Sequence, residues 1–131
     1  ESMEAALRTL ALLAQERGGR SWAFLGTMHE LGEQSAHMHQ EVGELVERLG
    51  IDHIVAVGNQ NYLQGLNGLS TVKHYFEKVE EAKDLITAFE PGDVVLVKAS
   101  RAEHFEELAS AVVSKISDLM NQEIKNEGDV K

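Results

Sequence analysis

The chain has 131 residues, 43% hydrophobic and 26% charged, with a formal net charge of −10, which describes one ordinary domain able to bury a core. The acidic balance argues against a duplex-binding surface, which needs Lys and Arg to neutralise phosphates. With no cysteine in the chain, disulfides, thiolate catalysis and cysteine metal sites are all excluded, and no apolar run approaches the ~20 residues of a membrane span.

Ser2 can cap a helix that begins at once, with Met3, Ala6, Leu10 and Leu13 recurring at three- and four-residue steps. A chain that opens inside a structured element reads as a piece of a longer polypeptide. The run Arg17 to Arg20, "RGGR", ends this helix, because glycine is the natural residue past a helix end. "SWAFLG" is a short apolar run closed by Gly26. Ser35 then offers a cap for a helix with the stripe Met38, Val42, Leu45 and Leu49, stopping at Gly50. "DHIVAVG" is a second apolar strand, and the Asn- and Gly-rich stretch from Asn59 to Ser70 is a loop or a short weak helix. "TVKHYF" alternates enough to be a strand near an edge. Val79, Ala82, Ile86 and Phe89 make a helix that ends before Pro91. Val94 to Val97 is the most apolar strand and is expected to be the most buried. Phe105, Leu108, Val112, Ile116 and Leu119 form the last helix, and the polar stretch 121–131 reads as a tail that frays, leaving 1–120 as the domain.

Short continuous apolar strands alternating with helices predict an α/β, Rossmann-like three-layer domain: a mostly parallel sheet with helices on both faces. Ligands of such sheets bind beyond the carboxyl ends of the strands, which singles out the turns Gly26 to Ser35, Gly58 to Gly68 and Lys98 to His104. A glycine at a strand end is most often only a turn residue, so chemistry has to be sought in what surrounds it. Neither the G-x-G-x-x-G dinucleotide fingerprint nor a P-loop occurs: Gly26 and Gly32 have the P-loop spacing, but Glu33 and Gln34 follow where Lys and Ser or Thr are needed. His29, His37 and His39 lie close in sequence, yet His37 and His39 are two apart and point away from each other on a helix, so they read as solvated histidines and no metal ligand is assigned. A phospho-acceptor receiver domain is excluded by the missing acidic pair after the first strand. Lys98, Ser100 and Arg101 stand where the fourth strand meets the helix behind it. Lys98 and Arg101 can hold anions and the Ser100 hydroxyl adds a donor, or Ser100 caps the helix and both cations are solvated.

Three stretches, "ESMEAAL", "FLGTMHELGEQSAHMHQEVGELVERLGIDHIVAVG" and "GDVVLVKASR", together resemble the C-terminal domain of the Mur ligases over residues 1 to about 119, most nearly the branch that adds D-alanyl-D-alanine. That family carries Gly, an acidic or amide residue, then Met-x-Glu-Leu-Gly after the first strand, and Val-Lys-Gly-Ser-Arg after the last. Here they stand as Gly26 to Gly32 and Val97 to Arg101.

The resemblance implies the excised third domain of a cytoplasmic three-domain enzyme. ATP would activate the carboxylate of a UDP-N-acetylmuramoyl-tripeptide as an acyl phosphate, and the amine of D-alanyl-D-alanine would attack it. ATP and Mg2+ would be held mainly by the central domain, whose P-loop, metal ligands and following Asn-rich segment lie outside this sequence. The partners implied are the N-terminal and central domains of the same polypeptide and these two substrates. The third domain would swing over the central one and exclude water. Its substrate-facing residues would be Thr27, Met28, Glu30, Lys98, Ser100 and Arg101, with no catalytic residue and no metal ligand in this fragment. Thr27 replaces the acidic or amide residue, and Ala99 replaces a glycine, harmless unless that backbone needs a positive φ. The alternative is a stand-alone α/β binding or interaction domain derived from such a ligase, without catalysis.

Overall fold

The computed structural model describes residues 2–28, 32–68, 70–99 and 104–129, with the side chains of 128 and 129 set aside. Helix α1 (Met3–Arg17) starts as Ser2 accepts the Ala5 N–H at 3.1 Å and closes on Gly18 at φ 71°. Its buried face is Ala6, Leu7, Leu10 and Ala14, whereas Leu13, expected inside, is 42% exposed. The two alanines let the helix lie close on the sheet, and the close-packed line is rotated toward them.

Strand β1 (Ser21–Leu25) is buried along its whole length. A 3-10 turn (Gly32–Gln34) leads into α2 (Ser35–Arg48), so Ser35 is the first helical residue and not the cap; Gln34 occupies that position without a side-chain hydrogen bond. Strand β2 (His53–Val57), the short helix α3 (Asn61–Gln64) and strand β3 (Val72–Phe76) follow. The expected helix over 79–89 is one turn of α-helix, α4 (Val79–Ala82), continued as a 3-10 helix (Lys83–Ala88), and Val79, Ala82, Ile86 and Phe89 are all buried as anticipated. The Thr87 hydroxyl bonds back to the Asp84 carbonyl at 3.0 Å, tightening the last turn ahead of Pro91. Strand β4 (Val94–Lys98) leads to α5 (Phe105–Asp129), which runs as helix through the polar stretch 121–129.

The four strands are all parallel in the order β3-β2-β1-β4. The sheet therefore contradicts the expectation that the fourth strand is the most buried. β4 is an edge strand with all five residues half-buried, and β1 is the buried one. Apolar composition suits a strand covered on both faces, which β4 is, but says nothing about whether a strand also flanks it. Alternation along β1 feeds two cores. Trp22 and Phe24 face Val55, Phe89, Leu108 and the α4–α5 side; Ala23 and Leu25 face Leu7, Leu10, Val46 and the α1–α2 side. This is the three-layer α/β domain that the alternation of elements implies.

At the end of the sheet where β1 and β2 begin, the only tryptophan of the chain, Trp22, stacks on His53 at 3.7 Å between ring centroids. His53 Nδ1 lies 3.1 Å from His74 Nε2 on β3. Burial lowers the pKa of both imidazoles from the ordinary 6.5, and for His53 the nearby His74 and Arg20 add to it, against the opposing pull of Asp52 and Asp93. The folded chain then refuses protons that the unfolded chain accepts. Stability is whole above the unfolded value and declines as pH falls below about 6.5 toward the lowered folded values. The urea midpoint is expected to drop between about pH 7.5 and about pH 5.5, with a shallower drop in His74→Gln. In the folded chain Trp22 emission should hold through the unfolded titration near 6.5 and quench only at lower pH, where His53 takes its proton. A midpoint independent of pH across this range would contradict the pairing.

Candidate functional site

The turns that leave the strand ends are tied to neighbouring strands before they diverge. The Gly26 N–H donates to the Lys98 carbonyl and the Gly58 N–H to the Phe76 carbonyl, each at 2.9 Å. A Cβ on Gly26 would stand 2.6 Å from Ala99 Cβ and 2.9 Å from the Phe105 ring, so only glycine lets β1 end beneath the start of α5. Beyond these ends opens a cleft of about 590 Å³, floored by the buried Val57 and Val79 and lined by Thr27, Gly58, Lys78, Glu80 and His104. The Lys78 N–H donates to the Glu81 carboxylate at 3.1 Å, setting the start of α4. His104, at φ 65°, begins the turn into α5, and its Nδ1 lies 2.7 Å from Glu107. Glu80, His104 and Glu107, all exposed, bring one ligand atom each to within 4.8 Å of one another. The cleft thus offers a hydroxyl, an ammonium and carboxylates for ion pairing and hydrogen bonding.

The residues singled out from sequence are not all gathered here. Thr27 lines the cleft. Met28 packs against the core on the opposite, α1–α2 face. Lys98, in register with Leu25, follows the alternation of Val94 and Leu96 toward that same face and is half-buried. Glu30, Ser100 and Arg101 lie outside the described residues, as does His29. His37 is solvated and pairs with Glu41 at 2.6 Å. His39, read from sequence as solvated, is fully buried; its place on α2 faces the body of the domain, which hydropathy could not register in a polar residue. Lys78 and Glu80 were missed because the turn after β3 carries no glycine to mark it, although its position at a strand end was the available signal.

Among its described residues, the start of the turn after β1 does not suit a nucleotide phosphate. Such loops present unpaired N–H groups, whereas here the Gly26 N–H is committed to Lys98 and the Met28 N–H to His39 Nε2 at 3.0 Å. ATP and Mg2+ are therefore not assigned to this turn.

The model of the family described as "Mur ligase, glutamate ligase domain" matches residues 1–101. The chain belongs to the Mur ligase family. Among its relatives, proteins named UDP-N-acetylmuramoyl-tripeptide–D-alanyl-D-alanine ligase are similar to it. That of Mycobacterium bovis is 35% identical over 135 residues, covering 87% of this chain and 26% of the relative. The Synechocystis protein is 35% identical over 78% of this chain and 23% of its own length. The Escherichia coli protein is 33% identical over 85% and 24%. The chain thus spans about a quarter of the length of these relatives. Within this Mur ligase domain Ala99 does not adopt a positive φ, so alanine in place of the family's glycine carries no backbone strain, and its Cβ fills the space that Gly26 leaves open.

Proposed function

We propose that this chain is the C-terminal, substrate-capping domain of an ATP-dependent amide ligase that adds D-alanyl-D-alanine to a UDP-N-acetylmuramoyl-tripeptide. The observation that carries the reading is the coincidence of the Mur ligase match over residues 1–101 with an all-parallel sheet whose strand ends open on a cleft. In this reading the phosphoryl chemistry belongs to the rest of the polypeptide, where ATP and Mg2+ bind, in the cytoplasm. The domain's own residues bind, orient and exclude water. Thr27 and Lys78 form the cleft edge presented to the substrates, while Met28, Glu30, Lys98, Ser100 and Arg101 are assigned to substrate contact by the family resemblance alone. Holding the dipeptide amine near the activated carboxyl removes several kcal/mol of orientational entropy from the barrier.

The test is phosphate release by the full-length parent given ATP, magnesium and the UDP-linked tripeptide, with and without D-alanyl-D-alanine. Release that depends on the dipeptide supports the ligase; its absence from a folded parent favours a non-catalytic binding domain. Lys98→Ala and Arg101→Ala are each expected to remove a charged hydrogen bond of about 1.5–3 kcal/mol, roughly ten- to hundredfold in kcat/KM. Unchanged kcat/KM in both would remove these residues from the substrate edge.

A further inference from the structure

Two buried side chains grip the backbone on either side of Thr27. Tyr62, on α3, is completely buried, and its hydroxyl donates to the Gly26 carbonyl at 2.6 Å. Burial alone pushes the phenol above its ordinary range, so it stays a donor. His39, on α2, is also completely buried, and its ring stands edge-on to Tyr62 with centroids 4.8 Å apart. His39 Nδ1 faces the Ser35 carbonyl, one helical turn back. A carbonyl can only accept, so Nδ1 carries the ring hydrogen and Nε2 is bare, which is what the Met28 N–H at 3.0 Å requires. The Gly26 N–H is held by β4 through the Lys98 carbonyl. The segment Gly26-Thr27-Met28 is therefore pinned by β4, α3 and α2, and the residue between the pins is the one whose side chain lines the cleft.

We infer that His39 is a positioning residue: with Tyr62 it clamps the turn after β1 so that Thr27 and the cleft edge are already in their working arrangement when substrates arrive. The inference rests on the ligase reading above. It gives the buried histidine a task that core packing does not, since an apolar side chain of similar size would fill the space but would leave the Met28 N–H unpaired and the turn free to shift. Preorganisation of this kind acts on the rate of the positioned step, because displacement by about 1 Å costs up to a hundredfold.

The full-length parent is the protein to test, as wild type, His39→Leu, His39→Gln and Tyr62→Phe, each compared at equal concentration of folded enzyme. His39→Leu is expected to lower the kcat of dipeptide-dependent phosphate release about ten- to hundredfold while leaving KM for the UDP-linked tripeptide within about twofold. His39→Gln, whose amide oxygen can still accept the Met28 N–H, should recover most of the rate. Tyr62→Phe, which keeps the ring and loses only the hydroxyl, should slow the reaction in the same way if His39→Leu does not fold. Selective 15N-histidine labelling should show, as the signal lost in His39→Gln, a ring protonated at Nδ1 with a bare Nε2. A wild-type parent without dipeptide-dependent release would overturn the ligase reading and this role with it. A ligating wild type with His39→Leu and Tyr62→Phe unimpaired, His39→Gln no faster than His39→Leu, or a His39 ring protonated at Nε2, would overturn the positioning role alone.

Discussion

Asp93→Ala is expected to destabilise the domain by about 2–4 kcal/mol, the cost of leaving buried N–H donors without their acceptor. Asp93 is 5% exposed, just ahead of β4, and its carboxylate is the single acceptor for several donors. It takes the Trp22 indole N–H at 2.9 Å, the Glu90 N–H at 3.0 Å, the Arg20 N–H at 3.2 Å and the Arg20 guanidinium at 3.0 Å. Burial by itself would raise the carboxyl, but the hydrogen bonds from Arg20, Glu90 and Trp22 outweigh it and hold it below the usual carboxylate range. Arg20 is partly solvated and can turn to water. Trp22, 1% exposed, cannot, so its indole N–H would be left without a partner in the core. Asp93→Asn should recover little, because its NH2 replaces one accepting oxygen and faces a donor. Because the folded carboxyl is held low, this contribution is present above the unfolded value near 3.8 and disappears as pH falls through the folded one. Urea unfolding of the wild type and both variants near neutral pH measures the loss, and a midpoint shift worth under about 1 kcal/mol would show that the network is not what anchors β1 to β4.

The sequence made the local signals legible and left the assembly to be found. Ser2 and Gly18 bracket the first helix as written, because caps act through bonds to residues three or four away. The strand runs stand where the apolar stretches are, and the alternation of elements leads directly to a parallel sheet. The order of the strands is a long-range property, so "VVLV" looked central although β4 has a strand on one side only. The stripe on α2 holds for Val42, Leu45 and Leu49, which pack on the core, but is incomplete for a related reason. Met38 is 38% exposed, while the buried positions are His39, Gly43, Leu45 and Val46. Two of those four are invisible to a hydropathy pattern, one because it is polar and the other because it has no side chain. The candidate site was legible at the strand-end turns, which include Gly58 and His104, and at the motif residue Thr27. Lys78 and Glu80 arrive there through sheet geometry, from a turn after β3 that no glycine marks.

Gly43→Ala is the second large effect expected, and it acts at the joint between packing and function. A Cβ on Gly43 would stand 1.8 Å from the Tyr62 carbonyl oxygen and 2.9 Å from its carbon. Both atoms are backbone, so no side-chain rotation relieves the overlap and α3 itself must move. The approach is reciprocal, since a Cβ on Gly65 would stand 2.2 Å from the Gln40 carbonyl oxygen on α2. Alanine is the better helix former by about 1 kcal/mol, but overpacking of about 1–3 kcal/mol and a loosened Tyr62 hydrogen bond of about 1 kcal/mol outweigh it, for a net loss of about 1–3 kcal/mol. Glu41→Ala, which removes only an exposed pair with His37 on the same helix, should change stability little. An unchanged urea midpoint in Gly43→Ala would refute the close crossing of α2 and α3. Because the segment displaced carries Tyr62, the variant should also lose the bond to the Gly26 carbonyl. Assayed in the full-length parent under conditions where it remains folded, Gly43→Ala should then resemble Tyr62→Phe, with kcat reduced and KM for the UDP-linked tripeptide little changed. A glycine far from any substrate would thereby set the rate through the position of one turn.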